Sequence, residues 1–145
     1  MQAKGVTLWL ALWRATREVE QHAQADIAAL GLGLSDFAML EALLNRGPLR
    51  VGDIGELVML TSGSTTSAVD RLAARGLVQR TADGRDARAR LVELTDAGRA
   101  MIRPAYESHA GHMEDAFSVL DDGERRALLR LLLKLRRSRR ADQVG

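Results

Sequence analysis

The chain has 145 residues, 46% hydrophobic and 28% charged, a size and balance that fit one globular domain able to bury a working core. Net charge is only +2 and there is no cysteine, which excludes disulfides, thiolate metal sites and cysteine-based redox sensing. The charge is unevenly placed: residues 62–103 hold eight arginines against five acidic residues, and from Asp121 onward eight basic residues stand against four acidic ones.

Of the 21 basic residues only Lys4 and Lys134 are lysine. Arginine's planar fork suits phosphates and base edges, although a GC-rich genome would produce the same bias, so composition alone makes nucleic acid a plausible partner and no more. The stretch VTLWLALW near the start is too short to span a membrane and lacks the basic flank and cleavage site of a signal peptide. A cytoplasmic protein with no membrane contact is expected.

Most of the chain reads as helix. Leu8, Leu12, Ala15, Val19, Ala23, Ile27 and Leu30 step by three or four and give one apolar stripe, stopped at Gly31 and Gly33. Ser35 is a good N-cap for a second helix carrying Met39, Leu40, Leu43 and Leu44, which ends at Asn45-Arg46-Gly47-Pro48. A short third helix presents Ile54, Leu57 and Val58 inward. In the next, over 61–76, Thr61 or Ser62 can cap, Val69, Leu72 and Ala73 point inward, and Gly76 supplies a left-handed stop. Two short helices around a tight turn match a helix-turn-helix, by itself a weak signal.

The next segment of the chain sharpens that signal. LVQRT and RLVEL alternate as strands, with Val92 and Leu94 on one face and Leu91 and Glu93 on the other, and they bracket a segment whose Asp83-Gly84 pair favours a reversal. A hairpin with arginines at its tip, leaving the end of such a helix, is a wing. Thr95 then caps a helix from about Asp96 to Leu120, in which Pro104 should bend the axis or remove one backbone bond. Asp121 with Glu124 three residues on is a capping box for a last helix, ALLRLLLKLRR, leucine-rich on more than one face and in need of a partner. The elements predict a mainly α chain with a small β-hairpin wing.

The run RVGDIGELVMLTSGSTTSAVDRLAARGLVQR, followed by DGRDARARLVELTDAGR, resembles the winged helix-turn-helix of the MarR family of bacterial transcription regulators. The family's wing pattern, Asp-x-Arg-Asp-x-Arg and then Leu-Thr-x-x-Gly, is matched by Asp83, Arg85, Asp86, Arg88, Leu94, Thr95 and Gly98. The resemblance implies a homodimer built by N-terminal (1–34) and C-terminal (96–145) helices around a DNA-binding region (35–95). It also implies a minor-groove role for Arg88, oriented by Asp86.

The residues themselves support contact with double-stranded DNA. Ser62, Gly63, Ser64, Thr65, Thr66 and Ser67 are poor helix formers but let a helix N-terminus approach phosphates with hydroxyl and N–H donors. Thr65, Thr66 and Ser67 are expected nearest the bases, with Arg71 in reach further along and Arg75 an exposed charge at the helix end. Arg85 and Arg90 fit phosphate contacts, with a solvated hairpin edge nearly as good an account.

His109 and His112, with Glu114 nearby, are spaced for one helix face, but no cysteine or carboxylate cluster supports a metal site, so neither metal nor cofactor is expected. Trp9 and Trp13 fit core or dimer packing. Because members of the family commonly bind small aromatic or phenolic anions, the resemblance implies an effector pocket that Trp9, Trp13, His109 and His112 could line. No nucleophile elbow, phosphate loop or placed acid–histidine pair suggests an enzyme. The expected function is a repressor released from a pseudo-palindromic operator by an aromatic ligand. The alternatives are a zinc-responsive regulator of the same fold and a nonspecific architectural DNA-binder.

Overall fold

A computed structural model describes residues 3–141. Helix α1 (Gly5–Ala29) runs to Gly31, whose φ of +66° closes it as the sequence predicts. The chain turns 83° into α2 (Leu34–Arg46). Ser35 does not cap α2. The extended Gly33 takes the N-cap position and its carbonyl accepts from the Phe37 amide at 3.0 Å, so Ser35 falls inside the first turn. Among the described residues no single helix is long and apolar enough to cross a membrane.

A two-residue strand, β1 (Leu49–Arg50), leads directly into α3 (Val51–Val58), and α4 (Ser62–Ala74) comes after it. Strands β2 (Val78–Asp83) and β3 (Asp86–Leu94) form the hairpin, and β1 joins on the far side of β3, so the antiparallel order is β1-β3-β2. The strands are longer than predicted. Only Gly84 and Arg85 separate them, and the register slips between Ala82 and Asp83. Gly84 does not take a positive φ. The reversal is instead held by Asp83, whose Oδ1 accepts from the Arg85 amide at 2.9 Å.

Helix α5 (Asp96–Ala116) carries Pro104 within it and ends four residues earlier than expected. Its terminus is taken over by Arg125, whose Nε donates to the carbonyls of Phe117 and Leu120 while Nη1 pairs with Glu114 at 2.6 Å. Helix α6 (Asp122–Ala141) starts with the predicted reciprocal box: the Glu124 amide donates to Asp121 Oδ1 at 2.9 Å, and the Asp121 amide to Glu124 Oε2 at 3.0 Å. Residues 142–145, the end of the predicted C-terminal region, lie outside the described residues.

The core is built by α2 (Phe37, Met39, Leu40, Leu43), α3 (Ile54), α4 (Val69, Leu72), β3 (Val92, Leu94) and α5 (Ile102), all buried. Met39, Leu40, Leu43, Ile54, Val69, Leu72, Val92 and Leu94 are buried as periodicity indicated, whereas Leu57, Val58 and Ala73 are half-buried and the α1 stripe is buried only at Ala23 and Ile27, with Leu8, Leu12 and Ala15 exposed. The core joins α4 to the hairpin, while the first half of α1 and most of α6 between residues 122 and 137 remain exposed in the single chain.

Candidate nucleic-acid interface

The start of α4 is fixed by Thr61, whose Oγ1 accepts from the Ser64 amide at 3.2 Å and donates to Ser64 Oγ at 3.0 Å. Ser62, Gly63, Ser64, Thr66 and Ser67 are exposed there. With the Ser64 amide taken by that cap, the amides of Ser62 and Gly63 have no intrahelical acceptor, so this end offers N–H and O–H donors to an anion. With Ser35, Leu60 and Arg71, several of these residues line a shallow open groove.

Thr65 departs from the expectation. It is fully buried, its hydroxyl donates to the Thr61 carbonyl at 2.8 Å, and it fills the angle between α3 and α4. A Cβ at Gly55 would lie 2.8 Å from the Thr65 Oγ1, so the two helices meet through a glycine and a threonine. Position 65 is in phase with Val69 and Leu72, and that inward phase, rather than its hydroxyl, decides its role. Thr65 therefore cannot touch a base without unpacking the corner.

Arg71 is exposed and its Nη2 is held by Asp36 Oδ1 of α2 at 3.1 Å, which braces the side chain beside the groove. Arg75 is not a free helix-end charge. Its guanidinium donates to the carbonyls of Leu30 and Gly31, at 3.1 and 3.2 Å, and so caps the C-terminal end of α1. Arg80 pairs with Asp70 at 2.6 Å and ties β2 to α4.

On the wing, Arg85, Arg88 and Arg90 are exposed. Asp86 acts on Arg88 through the backbone, its Oδ1 accepting from the Arg88 amide at 3.0 Å. Asp83 holds the Arg85 amide and, through Oδ2, the guanidinium of Arg50 at 2.8 Å. Arg50 and Asp36 were not legible as site residues, since each acts on a partner more than thirty positions away in sequence.

The four residues expected around an effector separate. A cavity of about 300 Å³ lies between α1, α5 and α6, lined mainly by apolar side chains, among them Leu12, Val19, Met113, Phe117 and Leu132, with His109 as a polar member. Trp9, Trp13 and His112 do not line it. The tryptophans are 62% and 50% exposed. His109 stands edge-on to Phe37, with ring centroids 5.1 Å apart, and its buried Nδ1 has no hydrogen-bond partner. Burial pushes the Glu41 carboxyl above its ordinary range, and the charge of His109 opposes that rise. His112 turns away to α1: its Nδ1 lies 2.5 Å from Asp26 Oδ2, and Ser108 Oγ donates to Asp26 Oδ1 at 3.0 Å. The His112 contact holds the Asp26 carboxyl below its ordinary range. The two histidines thus serve different neighbours, and among the described residues no three His, Asp or Glu side chains converge as metal ligands.

A family model described as MarR family matches residues 30–89. The chain is similar to the HTH-type transcriptional regulator MhqR of Bacillus subtilis, 32% identical over 124 residues that cover 86% of each chain. Among solved structures, a probable transcriptional regulator from Pseudomonas aeruginosa matches with a TM-score of 0.73 and 30% identity, over 87% of this chain and 94% of the other. BpsR of Bordetella bronchiseptica, described in terms of regulation of its DNA binding by 6-hydroxynicotinic acid, matches with a TM-score of 0.75 and 27% identity, over 92% of this chain and 93% of the other.

Proposed function

From the premise that the chain belongs to the MarR family of transcriptional regulators, we propose that it is a homodimeric repressor that binds a pseudo-palindromic operator and is released by a small aromatic acid. One observation carries the DNA-binding reading: α4, with Ser62, Ser64, Thr66 and Ser67 exposed at its capped start, is tied through Asp70 to β2 of a hairpin whose arginines are exposed. In this reading α4 enters the major groove, with hydroxyls and first-turn amides on phosphates and base edges and Arg71 beside them. Arg85 and Arg90 meet phosphates. Arg88 enters the adjacent minor groove, where a narrow A·T-rich stretch concentrates negative potential.

The effector reading rests on the α1–α5–α6 cavity, which lies at the small end of ligand-pocket volumes, about 300–1,000 Å³. Its apolar walls suit an aromatic ring, and His109 places an imidazole among them as a polar group for a carboxylate or phenol. A ligand there shifts DNA affinity only through its different affinity for two spacings of the recognition helices.

Fluorescence anisotropy on DNA from upstream of the chain's own reading frame, at two salt concentrations and with a panel of aromatic acids, tests the proposal. The expected result is a dyad-symmetric site with half-site centres roughly 10 bp apart, affinity that falls with salt, and release by at least one acid. Binding without a preferred site would support the architectural alternative. Release by zinc and by no aromatic acid would support the metal-responsive one.

A further inference from the structure

Arg50 ends β1 and occupies the N-cap position of α3, yet its side chain does not cap that helix. Its guanidinium reaches across the sheet to the turn end of β2, donating to Asp83 Oδ2 from Nη2 at 2.8 Å and from Nε at 3.2 Å. This contact matters because the backbone joins the hairpin to β1 at only two positions, Leu49↔Val92 and Arg50↔Leu91. Asp83 sits where the register slips, beside the turn that carries Arg85. Its side chain is only 10% exposed, against 49% for that of Arg50. Both of its carboxylate oxygens are engaged, one by the Arg85 amide and one by Arg50, and these two partners hold the Asp83 carboxyl below its ordinary range.

We propose that Arg50 is a positioning residue for the wing, its guanidinium clamping Asp83 so that the hairpin keeps a fixed angle to α3 and α4 and its arginines stand clear of their own neighbouring acid. The proposal rests on the reading that the hairpin meets DNA. Without the clamp, the wing can pivot on the two-position β1 pairing, and the freed Asp83 carboxylate becomes a competitor for Arg85 and Arg88.

Asp83→Asn separates the clamp from simpler roles. It keeps an oxygen for the Arg85 amide and removes a negative charge from an element facing a polyanion, so charge alone would make DNA binding tighter. The clamp makes it weaker, by roughly fivefold to tenfold in affinity, the scale of one lost contact per half-site. Arg50→Ala should weaken binding similarly, Arg50→Lys should restore part of it, and Arg50→Ala combined with Asp83→Asn should be no weaker than Arg50→Ala alone. Affinity unchanged or raised in a folded Asp83→Asn dimer overturns the clamp, and a loss confined to the Arg50 variants would make Arg50 a direct phosphate contact instead. Should Asp83→Asn unfold, a folded Arg50→Gln with wild-type affinity overturns the clamp just as well. Wild-type protein that binds no DNA overturns the functional reading rather than the clamp, so the two failures are distinguishable.

Discussion

Six neighbouring small residues, 62–67, look interchangeable in the sequence, yet the fold divides them by helical phase. Thr65 supports the corner against Gly55, while Ser62, Ser64, Thr66 and Ser67 face outward. The wing arginines divide by what their neighbouring acids do. Asp83 and Asp86 each bind a backbone amide, so the hairpin's two acids shape its turn and its edge, and the Arg88 side chain is exposed beside them. Arg88→Ala should therefore remove a DNA contact without disturbing the fold. Affinity should fall roughly tenfold per half-site, the scale of a single groove contact. Sequence preference should change little, because the minor groove carries a degenerate pattern. The slope of log affinity against log salt should become shallower by about 0.9 per phosphate equivalent lost. Titrations at several salt concentrations check this. Equal affinity in Arg88→Ala and wild type would reduce the tip to a solvated turn.

Between elements, a tight joint of the helix-turn-helix and wing lies where α5 leaves β3. Thr95 caps α5 by accepting from the Gly98 amide at 3.0 Å, and it also donates to the Gly76 carbonyl at 2.6 Å. A Cβ at Gly98 would sit 1.9 Å from the Leu77 carbonyl oxygen, so the first turn of α5 can rest on the chain leaving α4 only if residue 98 lacks a side chain. The Leu-Thr-x-x-Gly pattern that carried the family resemblance is therefore a packing device joining α4, the wing and α5. Gly98→Ala should cost about 1–3 kcal/mol, as overpacking does. Gly111→Ala is the control, because a Cβ there meets nothing within 4 Å and the better helix former should be neutral or slightly stabilising. Thermal unfolding of both variants checks the contrast, and equal midpoints would remove the packing argument. Joints of this kind explain what was legible. Thr95, Gly76 and the Asp121–Glu124 box are local signals, readable within four residues of chain. The β1 strand, the Arg50–Asp83 pair and the brace from Asp36 to Arg71 depend on partners brought together by the finished fold, and two strand residues leave no alternation to detect.

At the scale of the molecule, the single chain leaves two apolar surfaces uncovered. On α1 they are Val6, Leu8, Trp9, Leu10, Leu12 and Trp13, and on α6 they are Leu129, Leu131, Leu132, Leu133 and Leu135, all at least 37% exposed. Leucines on more than one side of α6 cannot all turn toward one neighbour within the chain, and a contiguous surface of that kind in water favours association. A second copy is the natural cover. It would bring α1 and α6 of one protomer against those of the other, explain tryptophans that do not line the α1–α5–α6 cavity, and close the open side of that cavity. It would also set two copies of α4 at a fixed separation, the requirement for reading two half-sites. Because the packing that orients the DNA-binding region passes through α1 and α5, the dimer should be needed for folding as well as for DNA recognition. Truncation after Asp122 should accordingly give aggregated or unfolded protein, while the full chain runs as a dimer whose mass by light scattering is independent of concentration over the micromolar range. The unfolding midpoint of the full chain should rise with protein concentration, since association stabilises only the folded form. A truncated chain that stays monomeric, soluble and cooperatively folded would show that α6 is dispensable, and the operator would then have to be read by a monomer or by a dimer built on α1 alone.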